Sequence, residues 1–238
     1  MVSIKGEVAL ITGGGRGMGR GIANSFAKNG ADVAIIGRDP DALKSTKKEI
    51  ESLGVRCFYR ATDVTLESQV MSAVKDIMGE FGRIDFLINN AGTYLVKSVI
   101  DTTMNDWDNI VDTNLKGTFL CTREVLNHMI NVKKGTIINI ASVGGRIGLS
   151  NKAAYCASKF GVVGFSKALA KEVKKHRIRV HIIYPYYVDS DKSLEFSEPD
   201  KSLKVNRIED IGDLIIYLAT TPLRVSIEEI AIDPYLKG

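Results

Sequence analysis

Cysteine is scarce. Cys57, Cys121 and Cys156 are odd in number and show no paired spacing, which argues against a disulfide framework and against a zinc site. No metal is expected, and Cys156 reads as a small helix residue rather than a nucleophile. Histidine is equally thin: His128, His176 and His181 fall on different segments and read as surface or structural residues. No apolar run approaches the roughly 20 residues that span a bilayer, and the apolar stretch before the first glycines is too short for a signal peptide. A cytoplasmic protein with no membrane association is the expectation. Charge of one sign is also missing, since 32 Lys and Arg against 28 Asp and Glu leave a net charge of +4. The densest basic run, residues 171–179, falls at the end of an expected helix, where cations complement the helix dipole. No aromatic set interleaves with it, so no nucleic-acid partner is expected. Repeats, low-complexity tracts and composition shifts are absent, and residues 1–238 are expected to form one domain.

What the chain does have is a succession of short Val- and Ile-rich runs separated by segments of helical spacing. Residues 8–12, 32–36, 55–61, 84–88, 136–140, 180–183 and 225–232 read as strands. Their hydrophobicity is continuous rather than alternating, which fits a parallel sheet covered on both faces. Helical spacing occupies 41–53, 66–81, 107–130, 153–174 and 208–219. The fold expected is α/β, a three-layer doubly wound Rossmann fold with a seven-stranded parallel sheet. A polar, irregular stretch at about 189–206 reads as a short substrate loop.

The first strand ends in Gly13, Gly14, Gly15, Arg16, Gly17, Met18 and Gly19, after which Ile22, Ala23, Phe26 and Ala27 recur at helical spacing. Glycines there let backbone approach a ligand, and the free N–H groups of the helix start attract a pyrophosphate. This is where a Rossmann sheet binds its dinucleotide. The second strand ends at Gly37, where an acidic residue would grip the adenosine ribose. Arg38 follows, and with Arg16 it could converge on a 2′-phosphate through charge-assisted hydrogen bonds. NADP(H) is therefore preferred, with NAD(H) the alternative. Asp63 and Val64, just past the third strand, are placed for the adenine.

Tyr155 and Lys159 stand four apart on an expected helix and share a face. A phenol with a pKa of about 10 is a poor acid or base at neutral pH; a nearby ammonium favours the phenolate and pulls that value down. Ser142, from the loop before this helix, could hydrogen-bond a carbonyl oxygen while Tyr155 delivers the proton.

Together these pieces resemble the short-chain dehydrogenase/reductase family over nearly the whole chain, most closely its 3-oxoacyl-[acyl-carrier-protein] reductases. The glycine motif falls on Thr12, Gly13, Gly17 and Gly19, the Asn-Asn-Ala-Gly motif on Asn89, Asn90, Ala91 and Gly92, and the catalytic tetrad on Asn114, Ser142, Tyr155 and Lys159. The resemblance implies that Tyr155 is the acid/base, that Ser142 holds the carbonyl oxygen, and that Lys159 binds the nicotinamide ribose and lowers the tyrosine pKa. Asn114 would hold a water linking Lys159 to solvent. Asn90, Ala91 and Gly92 would lie along the cofactor, and Pro185, Val188 and Ser190 would meet its nicotinamide end. It further implies a small carbonyl or alcohol substrate, an acyl carrier protein as a candidate partner met by Lys133, Lys134, Lys174, Lys175 and Arg177, and a homodimer or homotetramer joined through residues 107–130 and 153–174. Tyr186 departs from the family, which usually has glycine after this proline, and the last strand runs into Asp233 without the usual glycine-rich turn. Those departures keep a rival reading open: a nucleotide-binding regulatory or scaffolding protein with little turnover.

Overall fold

A computed structural model describes residues 2–189 and 205–233. Its one sheet contains β1 Val8–Thr12, β2 Asp32–Gly37, β3 Cys57–Ala61, β4 Phe86–Asn89, β5 Gly135–Ile140, β6 Ile178–Pro185 and β7 Glu229–Ile232. The strand order is β3-β2-β1-β4-β5-β6-β7, and every pairing is parallel. The helices are α1 Gly17–Lys28, α2 Pro40–Glu51, α3 Glu67–Phe81, α4 Met104–Val111, α5 Gly117–Val132, α6 Ala153–Val173 and α7 Ile208–Thr220.

The continuous apolar runs are explained by β2. Val33 and Ile35 face a core shared with Phe26 of α1, Leu43 of α2 and Ile211 of α7. Ala34 and Ile36 face the other core, with Val70 of α3, Val125 of α5 and Leu169 of α6. Both faces are covered from Val33 to Ile36, so none of these four positions can be polar without losing about 1.5–3 kcal/mol of burial. Edge strand β7 differs: Glu229 and Ala231 are exposed, as an unpaired edge tolerates.

Three elements depart from the sequence expectation. Residues 107–130 are not one helix; a π-helical turn, Asp112–Lys116, separates α4 from α5. A π turn is a single-turn insertion with no hydrophobic signature of its own, which is why periodicity missed it. Strand β7 begins at Glu229 rather than at 225. The basic run at 171–179 is split: α6 ends at Val173, Arg177 turns the chain with φ 61°, and Arg179 lies in β6. Its guanidinium donates to the Thr136 hydroxyl (2.9 Å) and the Ala219 carbonyl (3.2 Å). No helix among the described residues is long and apolar enough to cross a membrane.

Candidate active site

The strand order reverses between β1 and β4, and their carboxyl ends open a crevice there, the usual ligand position in such sheets. Thr12 ties its two sides together. Its hydroxyl accepts from the backbone N–H of Asn90 (2.9 Å) and Ala91 (2.8 Å), and the Asn90 side-chain amide donates to the Thr12 carbonyl (2.9 Å). The glycine loop is packed so closely on this brace that a Cβ at Gly19 would lie 2.2 Å from the Gly13 carbonyl oxygen. Gly13, with φ 67°, takes a conformation costly for other residues. Helix α1 carries no acidic residue in its first turn, leaving its positive end to an anion.

A cavity of about 660 Å³ fills this crevice, bounded by Gly13, Gly15, Arg16, Gly17, Met18 and Gly19 at one end, by Arg38, Asp63 and Val64 at the other, and by Asn90, Ala91 and Gly92 along its floor. The two arginines differ. Arg16 is ion-paired with Asp39, whose other carboxylate oxygen accepts from the N–H groups of Asp41 (3.1 Å) and Ala42 (3.0 Å) at the start of α2. Those backbone bonds, helped by Arg16, hold Asp39 below the usual carboxylate range. Arg38 has no ion pair among the described residues. Asp63 spends one carboxylate oxygen on Thr65, accepting from its N–H at 2.9 Å and its hydroxyl at 2.8 Å.

A second cavity of about 340 Å³ shares Met18, Asn90 and Gly92 with the first and reaches Ser142, Tyr155 and Lys159, with Pro185 and Val188 on the far wall. Ser142 precedes a 3₁₀ turn, Val143–Gly145, and its hydroxyl accepts from the Gly144 N–H at 3.2 Å. Two glycines let this turn lie flat on α6: a Cβ at Gly144 would sit 3.0 Å from the Tyr155 ring, and one at Gly145 would sit 3.0 Å from the Lys159 carbonyl. Tyr155 packs edge-on against Tyr94, ring centroids 4.6 Å apart. Ser190 lies outside the described residues.

Asn114 sits in the π-helical turn, fully buried. Its side chain accepts from the Thr93 N–H (2.7 Å) and donates to the Thr93 carbonyl (3.0 Å) and the Ser158 hydroxyl (2.9 Å). It thereby fastens the loop after β4 to α6. The Lys159 ammonium donates to the Ile140 carbonyl at 2.8 Å and lies 6.0 Å from the Tyr155 ring centroid.

One electrostatic expectation is corrected. The phenol of Tyr155 is not pulled down here. Burial pushes it up to about 12, against which the Ser142 hydroxyl acts in the lowering direction, while Tyr94 and Cys156 add to the rise. The amine that was to lower it is itself buried, and desolvation pushes Lys159 down to about 8. Spacing along a helix says which groups are neighbours; it does not say how much water both have lost.

The short chain dehydrogenase model matches residues 7–201. The chain belongs to that family. It is an oxidoreductase acting on the carbonyl/alcohol couple with a nicotinamide cofactor. Among curated relatives, the 3-oxoacyl-[acyl-carrier-protein] reductase of Chlamydia pneumoniae is 31% identical over 227 residues, 92% of each chain. The (2S)-[(R)-hydroxy(phenyl)methyl]succinyl-CoA dehydrogenase subunit of Thauera aromatica is 35% identical, covering 92% of this chain and 91% of that protein. A metagenomic short-chain oxidoreductase solved in complex with NADP superposes with a TM-score of 0.87 at 30% identity, covering 99% of this chain and 100% of the other.

For a short-chain dehydrogenase, this one has features that sequence reasoning missed. Asp39 neutralises one of the two arginines, and its place directly after Arg38 was a visible signal. Thr93 and Ser158 hold Asn114; nothing in their spacing announces it. Tyr187 lines the second cavity beside Tyr186, and it, not Tyr186, has the positive φ, 29°. The two rings pack with centroids 4.5 Å apart, their planes tilted by 59°. Lys133 and Lys134 precede β5, and residues 174–177 precede β6, so they lie at the amino edge of the sheet. Ser142 follows the carboxyl end of β5, about 20 Å away by strand rise. A carrier docked on those basic residues would not face the cavity.

Proposed function

We propose that the chain is an NADP(H)-dependent carbonyl reductase in which Tyr155 is the proton donor. The reading is carried by one observation: Ser142, Tyr155 and Lys159 border a cavity that shares lining residues with the glycine-loop crevice, and that crevice holds Arg38, which has no ionic partner among the described residues. The donor set fits a dinucleotide phosphate. The glycine loop and the start of α1 would take the pyrophosphate, Arg38 a 2′-phosphate, Asp63 and Val64 the adenine, and Lys159 with Asn90 and Gly92 the nicotinamide half. When bound, the reduced nicotinamide supplies the hydride. Ser142 holds the carbonyl oxygen, and Tyr155, protonated throughout the neutral range, gives its proton to that oxygen as it becomes an alcohol. Asn114 keeps α6 and the loop after β4 in register.

The first substrate class to test is the 3-oxoacyl group, on the strength of the Chlamydia relative; support for an acyl carrier comes from that relative and not from the basic edge. Self-association through α5 and α6 is supported by the outward position of Phe119 and Phe160. The rival reading, a binding protein with little turnover, draws on the two tyrosines crowding the second cavity. NADPH oxidation against a carbonyl panel separates the two, since binding without turnover would favour the rival.

The cofactor assignment has its own test. A hydrogen bond to a charged group contributes about 1.5–3 kcal/mol, so Arg38→Ser should raise the KM for NADPH about tenfold or more while leaving the KM for NADH within about threefold. Equal changes for both cofactors would remove the 2′-phosphate role.

A further inference from the structure

The second cavity has a charge its chemistry does not use. Among its described lining residues there is no Asp or Glu, and its two cations are Lys159 and Lys152. Lys159 is committed to the Ile140 carbonyl. Lys152 is half-buried and has no ion pair among the described residues. It stands immediately before α6, three residues ahead of Tyr155, and both line this cavity. Its ammonium lies over the Tyr94 ring at 5.2 Å, the ring that packs against Tyr155, and Tyr186 lines the same cavity. A half-buried cation over an aromatic ring, with no counter-ion among the described residues, attracts an anion more strongly than a fully solvated surface lysine does.

We propose that Lys152 is a specificity-determining residue, and that the substrate is a small carbonyl compound carrying a carboxylate within a few bonds of the reacting carbon. This rests on the reductase reading above and deepens it. The carboxylate would meet the Lys152 ammonium while the carbonyl oxygen meets Ser142 and Tyr155, which fixes the orientation of the substrate at two points.

The experiment compares acids with their neutral esters. NADPH oxidation is measured with acetoacetate and levulinate and with the methyl ester of each, for the wild type, Lys152→Gln and Lys152→Arg. The wild type should favour acid over ester at least tenfold in kcat/KM. In Lys152→Gln that ratio should collapse to near one, mainly through KM for the acids, and Lys152→Arg should restore at least half of it. A merely structural role would lower acid and ester together and leave the ratio unchanged. Ester turnover with no acid preference in the wild type overturns the proposal and leaves the reductase reading standing. If none of the four compounds is reduced, calorimetric titration of levulinate into the NADP⁺-saturated protein decides the matter separately. Affinity at least tenfold weaker in Lys152→Gln than in the wild type supports the carboxylate site; equal affinity or no binding in both overturns it.

Discussion

Tyr155→Phe should lower kcat/KM for carbonyl reduction by about a thousandfold, within the range removed when a positioned general acid is lost; that corresponds to about 4 kcal/mol of transition-state stabilisation. The ring is retained, so the edge-on packing against Tyr94 and the contact with Gly144 survive, and cofactor affinity measured by NADPH fluorescence should change by less than about threefold. The phenol's position at about 12 adds a directional expectation. At neutral pH the group is almost wholly protonated, ready to give a proton and rarely able to accept one. Reduction in the wild type should be nearly independent of pH from 6 to 7.5, whereas oxidation of the product alcohol should climb with pH over the same interval. A Tyr155→Phe protein that kept more than a tenth of the parental rate would show that the proton comes from elsewhere.

The parts of this molecule that could be read from its sequence are those in which one local pattern has one physical cause. Continuous Val and Ile runs mean strands buried on both faces, as β1, β2, β4, β5 and β6 are; the edge strands β3 and β7 are partly exposed, and all seven lie in the sheet with ends displaced by a few residues. The glycines after β1 had to mark a close approach: a Cβ placed on Gly19 would meet the Gly13 carbonyl oxygen at 2.2 Å. The oxidoreductase family was legible for the same reason: its motifs are short, local and specific in combination. What was not legible depends on groups brought together from afar. Asp39 cancels Arg16 because α2 begins beside the glycine loop. Asn114 is locked by Thr93 and Ser158 because a π-helical turn tips it inward. The fate of the tyrosine pKa depended on a desolvation that no spacing encodes. Lys152 was passed over for the opposite reason: a lone lysine at a helix start is ordinary until the described residues around it are seen to include no acid.

Lys159→Met should abolish most turnover, yet its sharper signature is in stability against pH, measured on the cofactor-free chain. Burial holds the folded Lys159 near 8 against its ordinary 10.5. Below pH 8 both folded and unfolded chains carry the proton, and the folded state bears the full cost of a buried ammonium, only partly offset by the bond to the Ile140 carbonyl. Between pH 8 and pH 10.5 the unfolded chain still holds a proton that the folded chain has released, so unfolding free energy rises with pH. Over that window the wild type should gain about 3 kcal/mol relative to Lys159→Met, at about 1.4 kcal/mol for each unit of displacement. Taking the difference between the two proteins removes the contribution of Tyr155, whose raised value acts with the opposite sign above pH 10. Urea unfolding at pH 7, 8, 9 and 10 measures this difference; a constant gap between the two proteins would mean that the amine is hydrated in the folded state. A cell at neutral pH thus keeps a charged amine in a place that destabilises the fold, which is the expected cost of holding a cation beside the proton-donating phenol until a dinucleotide arrives.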